Sequence, residues 1–319
     1  MAAENESASS NSLTSVHRPV LLREVLEWLR PAPRQRFIDM TVGLGGHAAA
    51  IIARLLPGGW LLGIDRDAEA LALARKRLAP FAGHFELVHG NLRDLAEHAR
   101  RLGPGRGADG VVADLGPSSY QLDTAERGFS FQLDGELDMR MDRSRGRTAA
   151  ELLARLGERD LERLLRDYGE ERYARRIARA IVQRRRELRT TLQLAALIEA
   201  VVPRRERRLH PATRCFLALR LVVNEELEAL RAALSTLPQW LAPHGRVAII
   251  AFHSLEDRIV KQMFRDLAAK GEVVLLTRKP VRPSPAEVAE NPRSRSARLR
   301  VAERVAGADA GVALKGTGK

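Results

Sequence analysis

The run Asp114-Leu-Gly-Pro-Ser-Ser-Tyr-Gln-Leu-Asp123, followed by Arg127-Gly-Phe-Ser-Phe131 and Leu137-Asp-Met-Arg-Met-Asp142, gathers carboxylates, hydroxyls and an amide in a pattern that neither packing nor solubility requires. Alone, such a string reads more readily as a solvated loop rich in Ser, Gly and Asp than as a site. Its position argues for a site. Gly110-Val-Val-Ala113 just before it is a short apolar run of the kind that forms a buried parallel strand, and ligands in open α/β sheets bind beyond the carboxyl ends of such strands. Asp114 is therefore the first candidate catalytic residue. It is placed either to contact a cofactor or to face the group that reacts.

A second constellation lies upstream, in Phe37-Ile-Asp-Met-Thr-Val-Gly-Leu-Gly-Gly-His47: a strand, an acidic strand end and a glycine turn opening a helix. The glycines let backbone approach a ligand, and the helix start offers free N–H donors. Gly43-Leu-Gly-Gly-His-Ala48 even satisfies the dinucleotide pattern, so the turn by itself does not choose between NAD and another adenosine-bearing cofactor. Asp39 does discriminate. A carboxylate at the mouth of the first strand repels a pyrophosphate and attracts the cationic amino-acid end of S-adenosylmethionine. Asp65, ending Gly63-Ile-Asp65, is placed to accept hydrogen bonds from ribose hydroxyls. Asp39, the turn glycines Gly43, Gly45 and Gly46, and Asp65 are thus candidate cofactor contacts.

The elements that must position these groups alternate as in a doubly wound fold. Strands are expected at Arg36 to Met40, Trp60 to Ile64, His84 to His89 and Gly110 to Ala113, with helices at Ala48 to Leu56 and Ala68 to Leu78. From Asp142 to about Arg208 the strand signal stops. Charged segments of helical period follow at Thr148 to Leu156, Asp160 to Tyr168 and Arg172 to Leu188. The α/β pattern then resumes: helix Pro211 to Leu241, strand Arg246 to Phe252, helix Leu255 to Ala269, and an antiparallel finish from Glu272 to Thr277 and Ser296 to Glu303. His253 and Ser254, at the end of the fifth strand, are further candidates for substrate contact or proton relay, with Ser254 equally readable as a helix N-cap. His210, before Pro211, can simply begin a helix.

A chain of 319 residues with 45% hydrophobic and 29% charged residues is long enough for two domains, and no apolar run approaches the length of a membrane span. The polar N-terminus carries no signal-peptide pattern, so a cytoplasmic protein is expected. The single cysteine, Cys215, excludes an internal disulfide, and no metal site is expected. The formal charge of +13 predicts attraction to a polyanion, nucleic acid first.

Taken together, the chain from His17 to Val305 resembles the bacterial 16S ribosomal RNA (cytosine-N4)-methyltransferase family. The resemblance is carried by His17-Arg-Pro-Val-Leu-Leu-Arg-Glu-Val25, Asp39 to His47, Asp114 to Asp142, Tyr168-Gly-Glu-Glu171, His210-Pro-Ala-Thr-Arg214, Leu219-Arg220 with Asn224, Phe252-His-Ser-Leu-Glu-Asp-Arg258 and Asn291-Pro-Arg-Ser-Arg-Ser296. Pro117, Leu217 and Ala251 depart from the family pattern, and none of them removes a charged group.

The resemblance implies a Rossmann-like class I methyltransferase sheet with an inserted helical substrate-recognition domain. Its cofactor would be S-adenosylmethionine, and its substrate a cytidine in the decoding centre (position 1402) of 16S rRNA within the small ribosomal subunit. The family's cofactor contacts fall on Gly45, Gly46, His47, Asp65, Asp114 and Gln121, and on Leu92, where an aromatic residue is more usual. The expected division is a disordered tail at 1–15, a methyltransferase domain at 16–125 and 209–305, a helical substrate domain at 126–208 and a flexible tail at 306–319. Arg140, Arg143, Arg145, Arg147, Arg184 to Arg186, Arg293 and Arg295 are candidate phosphate contacts, whereas Arg176 and Arg179 are placed to pair with nearby glutamates. The competing readings are an NAD-dependent oxidoreductase, which leaves Asp39, the Asp114 string and the basic charge unexplained, and a non-catalytic RNA-binding assembly factor, which leaves the acidic and glycine residues without a purpose.

Overall fold

In the computed structural model, residues 19–203 and 210–307 are described. The N-terminal tail through residue 18, the segment 204–209 that contains the expected boundary at 208/209, and the tail from 308 lie outside them. α1 (Leu22–Leu29) leads into β1 (Arg36–Asp39), α2 (Gly46–Leu55), β2 (Trp60–Asp65), α3 (Ala68–Leu78), β3 (Phe85–His89), the short α4 (Leu95–His98) and β4 (Ala108–Asp114). A short helix α5 (Ser119–Asp123) follows. The helical region comprises α6 (Ala149–Arg155), α7 (Glu158–Gly169), α8 (Ala174–Arg184), α9 (Thr191–Val201) and α10 (Ala212–Val223). The chain then returns to the sheet through α11 (Glu226–Trp240), β5 (Leu241–Ala251), α12 (Ser254–Ala269), β6 (Val273–Leu275), α13 (Pro285–Glu290) and β7 (Arg298–Arg304).

The seven strands run in the order β3-β2-β1-β4-β5-β7-β6, with β1 to β5 parallel and β7 antiparallel to both neighbours. Alternate side chains leave opposite faces of each strand, and the core divides accordingly. Ile38, Leu62, Val111 and Ile249 pack with Leu230, Leu234 and Phe264 of α11 and α12. Phe37, Leu61, Val112 and Ile250 pack with Val25, Ile51, Ile52 and Leu55 of α1 and α2. Both faces are covered, which explains why the strands read as near-continuous apolar runs.

A third apolar cluster holds the helical region together and extends from Leu137 to Leu219. Cys215 lies wholly inside it, and burial pushes its thiol well above the ordinary range. α10 belongs to this cluster, although its sequence reads as the start of one long helix running to Leu241. That helix is in fact two. It breaks at Asn224 because Glu225 takes a left-handed conformation (φ 49°) and Asn224 turns its side chain onto the Met139 carbonyl and the Met141 N–H, both at 2.8 Å. The expected helix from Arg172 to Leu188 likewise stops at Arg184, where Arg184 pairs with Glu187 at 2.8 Å. The sequence pattern does not announce α1, α4 or α9. α1 and α4 are short, and α9 is apolar on most sides, so its stripe is weak.

Candidate active site

The strand order reverses between β1 and β4, and a cavity of about 1170 Å³ opens beyond the carboxyl ends of these strands. Its wall includes Gly43, Gly46, His47, Asp65, Leu92, Asp114 and Gln121, so seven expected cofactor residues converge on one space. Gly45 sits behind the wall with φ +77°, against Ala74. Gly46 is where a side chain is excluded outright, since a Cβ there would fall 2.5 Å from Pro19 Cγ.

Asp39 is 2% exposed. Its Oδ1 accepts the Thr41 N–H at 3.1 Å, while Oδ2 has no hydrogen-bond partner. Burial raises its pKa to about 7; the Thr41 hydrogen bond opposes this, and the charge of Asp65 adds to it. Asp65 binds the glycine turn, with Oδ2 accepting the Gly43 N–H at 2.7 Å and Oδ1 accepting the Asp67 N–H at 2.9 Å. Burial lifts Asp65 to about 6 despite those two bonds. Asp67 is the N-cap of α3, accepting the Glu69 and Ala70 N–H groups.

Asp114 ends β4. Its backbone N–H donates to Thr41 Oγ1 at 2.7 Å, which ties β4 to the turn after β1. Its Oδ1 is buried without a partner, and His47 Nδ1 stands 3.7 Å from Oδ2. His47 is itself fixed by a 3.0 Å contact from Nε2 to the Val20 carbonyl. Burial first, then the charges of Asp39 and Glu256, push Asp114 well above the ordinary carboxylate range.

Gln121 is placed differently from a simple ligand contact. Its Oε1 accepts the Ser118 N–H in a capping box at 3.0 Å, and its Nε2 donates to Asp67 Oδ2 at 2.7 Å. It holds the cavity wall in shape. Leu92 lies in the wall as an apolar surface.

His253 and Ser254 do not line the cavity. His253, not Ser254, is the N-cap of α12, its Nδ1 accepting the Glu256 N–H at 3.4 Å. Ser254 instead donates to Glu170 Oε2 at 2.9 Å, and Arg258 reaches Glu170 Oε1 at 3.2 Å, so these residues join α12 to the end of α7. From this segment it is Phe252 and Glu256 that line the cavity. His210 accepts the Ala212 N–H through Nδ1 and stacks on Phe131 at 4.5 Å.

Among the expected phosphate contacts, Arg140 is only 21% exposed and forms a two-pronged pair with Asp138 at 2.7 and 3.0 Å. Arg145 pairs with Asp142 at 2.7 Å but is 73% exposed. Arg143 lies 3.6 Å from Asp138, Arg293 pairs with Asp123 at 3.1 Å, and Arg147 and Arg295 are exposed. Arg179 pairs with Glu158 at 3.3 Å.

Sequence reasoning passes over Arg127, which is almost wholly buried. It pairs with Asp67 at 2.7 Å and with Glu69 at 3.2 Å, and donates to the Arg140 and Met141 carbonyls, both at 3.0 Å. It thereby links the start of α3 to the loop before α6. Its one signal is its place in the Arg127-Gly-Phe-Ser-Phe131 string, which periodicity cannot interpret.

A doubly wound sheet with an antiparallel last pair and a glycine turn at its switch point is a Rossmann-like fold of the class I methyltransferase type. The sequence pattern of the MraW methylase family matches residues 14–305. Proteins named ribosomal RNA small subunit methyltransferase H are similar over nearly their whole length. That of Pelobacter propionicus is 48% identical over 309 residues, covering 91% of this chain and 98% of the relative. That of Nitrosococcus oceani is 49% identical over 311 residues, covering 92% and 98%. The chain belongs to the MraW methylase family.

Proposed function

We propose that this protein transfers the methyl group of S-adenosylmethionine to the exocyclic N4 of a cytidine in 16S rRNA, at the decoding-centre position, with the small ribosomal subunit as substrate. The observation that carries this reading is the buried acid pair at the switch point: Asp114 borders the cavity, Asp39 lies behind its wall, and each has an oxygen that lacks a hydrogen-bond partner. Such atoms are costly unless a ligand satisfies them. A cationic, phosphate-free cofactor fits that need, and a pyrophosphate does not.

Gly43, Gly46 and His47 would border the amino-acid portion of the cofactor, Asp65 the ribose and Leu92 the adenine. When bound, the cofactor supplies an electrophilic methyl on a positively charged sulfur. The cytosine amine is a weak nucleophile because its lone pair is delocalised into the ring. Holding it in line can therefore supply about 7 to 11 kcal/mol of the barrier. Asp114 faces this space and, once ionised, accepts an amine hydrogen and takes the proton as positive charge develops on nitrogen.

The helical region at 126–208 is the substrate-binding part in this reading. Exposed Arg143, Arg145, Arg147, Arg293 and Arg295 serve the RNA backbone, while the base is drawn out of its stack into the cavity. In a thermal-shift comparison, S-adenosylhomocysteine should stabilise the protein and NADH should not. Stabilisation by NADH alone would overturn the cofactor assignment.

A further inference from the structure

We propose that Glu256 is a second acceptor for the target amine, so that Asp114 and Glu256 together hold the two N–H bonds of the nitrogen being methylated, with His253 as the residue that positions Glu256. This rests on the cytidine reading above. Glu256 is 2% exposed, yet its side chain borders the same cavity as Asp114. The sheet register explains why. β4 and β5 are parallel neighbours with Asp114 opposite Ile250, and Leu115 N–H donates to the Ile250 carbonyl at 3.0 Å. Two residues further on, Phe252 N–H donates to Glu256 Oε2 at 2.9 Å, which draws the carboxylate back to the end of β5. The two acids thus stand at the carboxyl ends of adjacent strands and border one cavity.

Glu256 is also held from behind. His253 Nδ1 accepts the Glu256 N–H at 3.4 Å, which leaves the ring proton on Nε2, and Nε2 stands 3.0 Å from Glu256 Oε1, close enough to pair although the angle does not make a hydrogen bond. A carboxylate has two acceptor positions on each oxygen, so these contacts leave both oxygens with capacity toward the cavity. Burial alone would raise Glu256, but the His253 contact, the charge of Arg220 and the Phe252 N–H outweigh it and keep the acid below its ordinary range. Arg220, from α10, is shared with Glu226 of α11 at 2.9 Å. Asp39 from β1 and His47 from α2 complete the charged and titratable groups around the Asp114 side of the pair.

The chemistry needs two acceptors. As the nitrogen leaves the ring plane its two hydrogens and its lone pair take separate directions. One acceptor leaves the amine free to rotate, whereas two turn the lone pair toward the incoming methyl. The nitrogen–carbon bond forms as the sulfur–carbon bond breaks. One nitrogen–hydrogen bond then returns its electron pair to nitrogen, and the proton passes to Asp114. Glu256 remains ionised throughout.

Single-turnover methylation of small subunits across pH tests the assignment, with S-adenosylhomocysteine affinity and the carboxyl-carbon NMR titration of Asp114 measured on the same variants. For Glu256→Gln the rate should fall at least tenfold at unchanged S-adenosylhomocysteine affinity. Both the acid limb of the rate profile and the Asp114 titration should move to lower pH, because a negative charge beside Asp114 is gone. Glu256→Asp, which keeps the charge but not the reach, should lose rate with the acid limb in place. Should Glu256→Gln fail to fold, the rate of Glu256→Asp decides alone. Parental turnover in the variant that folds, or a loss of S-adenosylhomocysteine affinity, would overturn the proposal. If the parent protein methylates no cytidine, the functional reading itself has failed instead.

Discussion

Asp65 accepts the backbone N–H of Gly43 at 2.7 Å, so the acidic end of β2 and the glycine turn after β1 form one unit. A residue expected to meet only the ribose therefore also shapes the glycine turn that borders the cavity. Asp65→Ala should weaken S-adenosylhomocysteine by at least about tenfold, since hydrogen bonds to a carboxylate contribute roughly 1.5 to 3 kcal/mol each. Isothermal calorimetry reads this directly, and unchanged affinity would refute the assignment.

Asp39, lifted to about 7 by burial, predicts a pH dependence with a definite sign. An acid whose folded pKa lies above its unfolded value favours folding most when both states are protonated. That contribution is lost as pH rises from about 4 to about 7. Asp39→Asn removes the titration. Its stability relative to the parent should be greater at pH 8 than at pH 5 in denaturant unfolding of the ligand-free protein, and a constant difference would contradict the raised pKa.

Proton release follows from the same residue. A cation entering beside Asp39 favours its charged form, so binding of S-adenosylmethionine near neutral pH should release protons. Calorimetry in buffers of different ionisation enthalpy measures the number, and Asp39→Asn should reduce it. Equal release by both proteins would place the titrating group elsewhere.

The arginines should separate into two kinds. Replacing Arg145 and Arg147, both exposed, should flatten the salt dependence of RNA binding by up to about 0.7 to 0.9 for each phosphate that is no longer neutralised. Arg127→Ala breaks a buried network instead, and a loss of about 3 to 5 kcal/mol in unfolding free energy is expected. An Arg127 variant as stable as the parent would contradict its structural role.

Much of the fold and of the cavity lining at the switch point is legible in the chain. Val111 and Val112, like Leu61 and Leu62, announce strands buried on both faces, and Asp39 and Asp65 close strands beside a turn that needs glycine at position 43, where φ is +51°. What stays hidden depends on residues far apart in sequence. The break after α10 comes from Asn224 reaching Met139 and Met141, which no local period reveals. In Phe252-His-Ser-Leu-Glu256 the eye goes to histidine and serine. One turn of helix nevertheless brings the glutamate to the cavity and leaves His253 as its support and Ser254 on Glu170.

The central claim is tested most directly by mapping the methyl group. Small subunits isolated from cells lacking this protein, incubated with it and S-adenosylmethionine, should gain one methyl group on the exocyclic nitrogen of a single decoding-centre cytidine, identified by nuclease digestion and mass spectrometry. The same reaction with Asp114→Asn should run at least about a hundredfold slower, because the acceptor for the amine proton is removed. A methyl group found on a ring carbon, on another base or on no RNA at all would contradict the account, and an Asp114→Asn rate equal to the parent's would remove Asp114 from the chemistry.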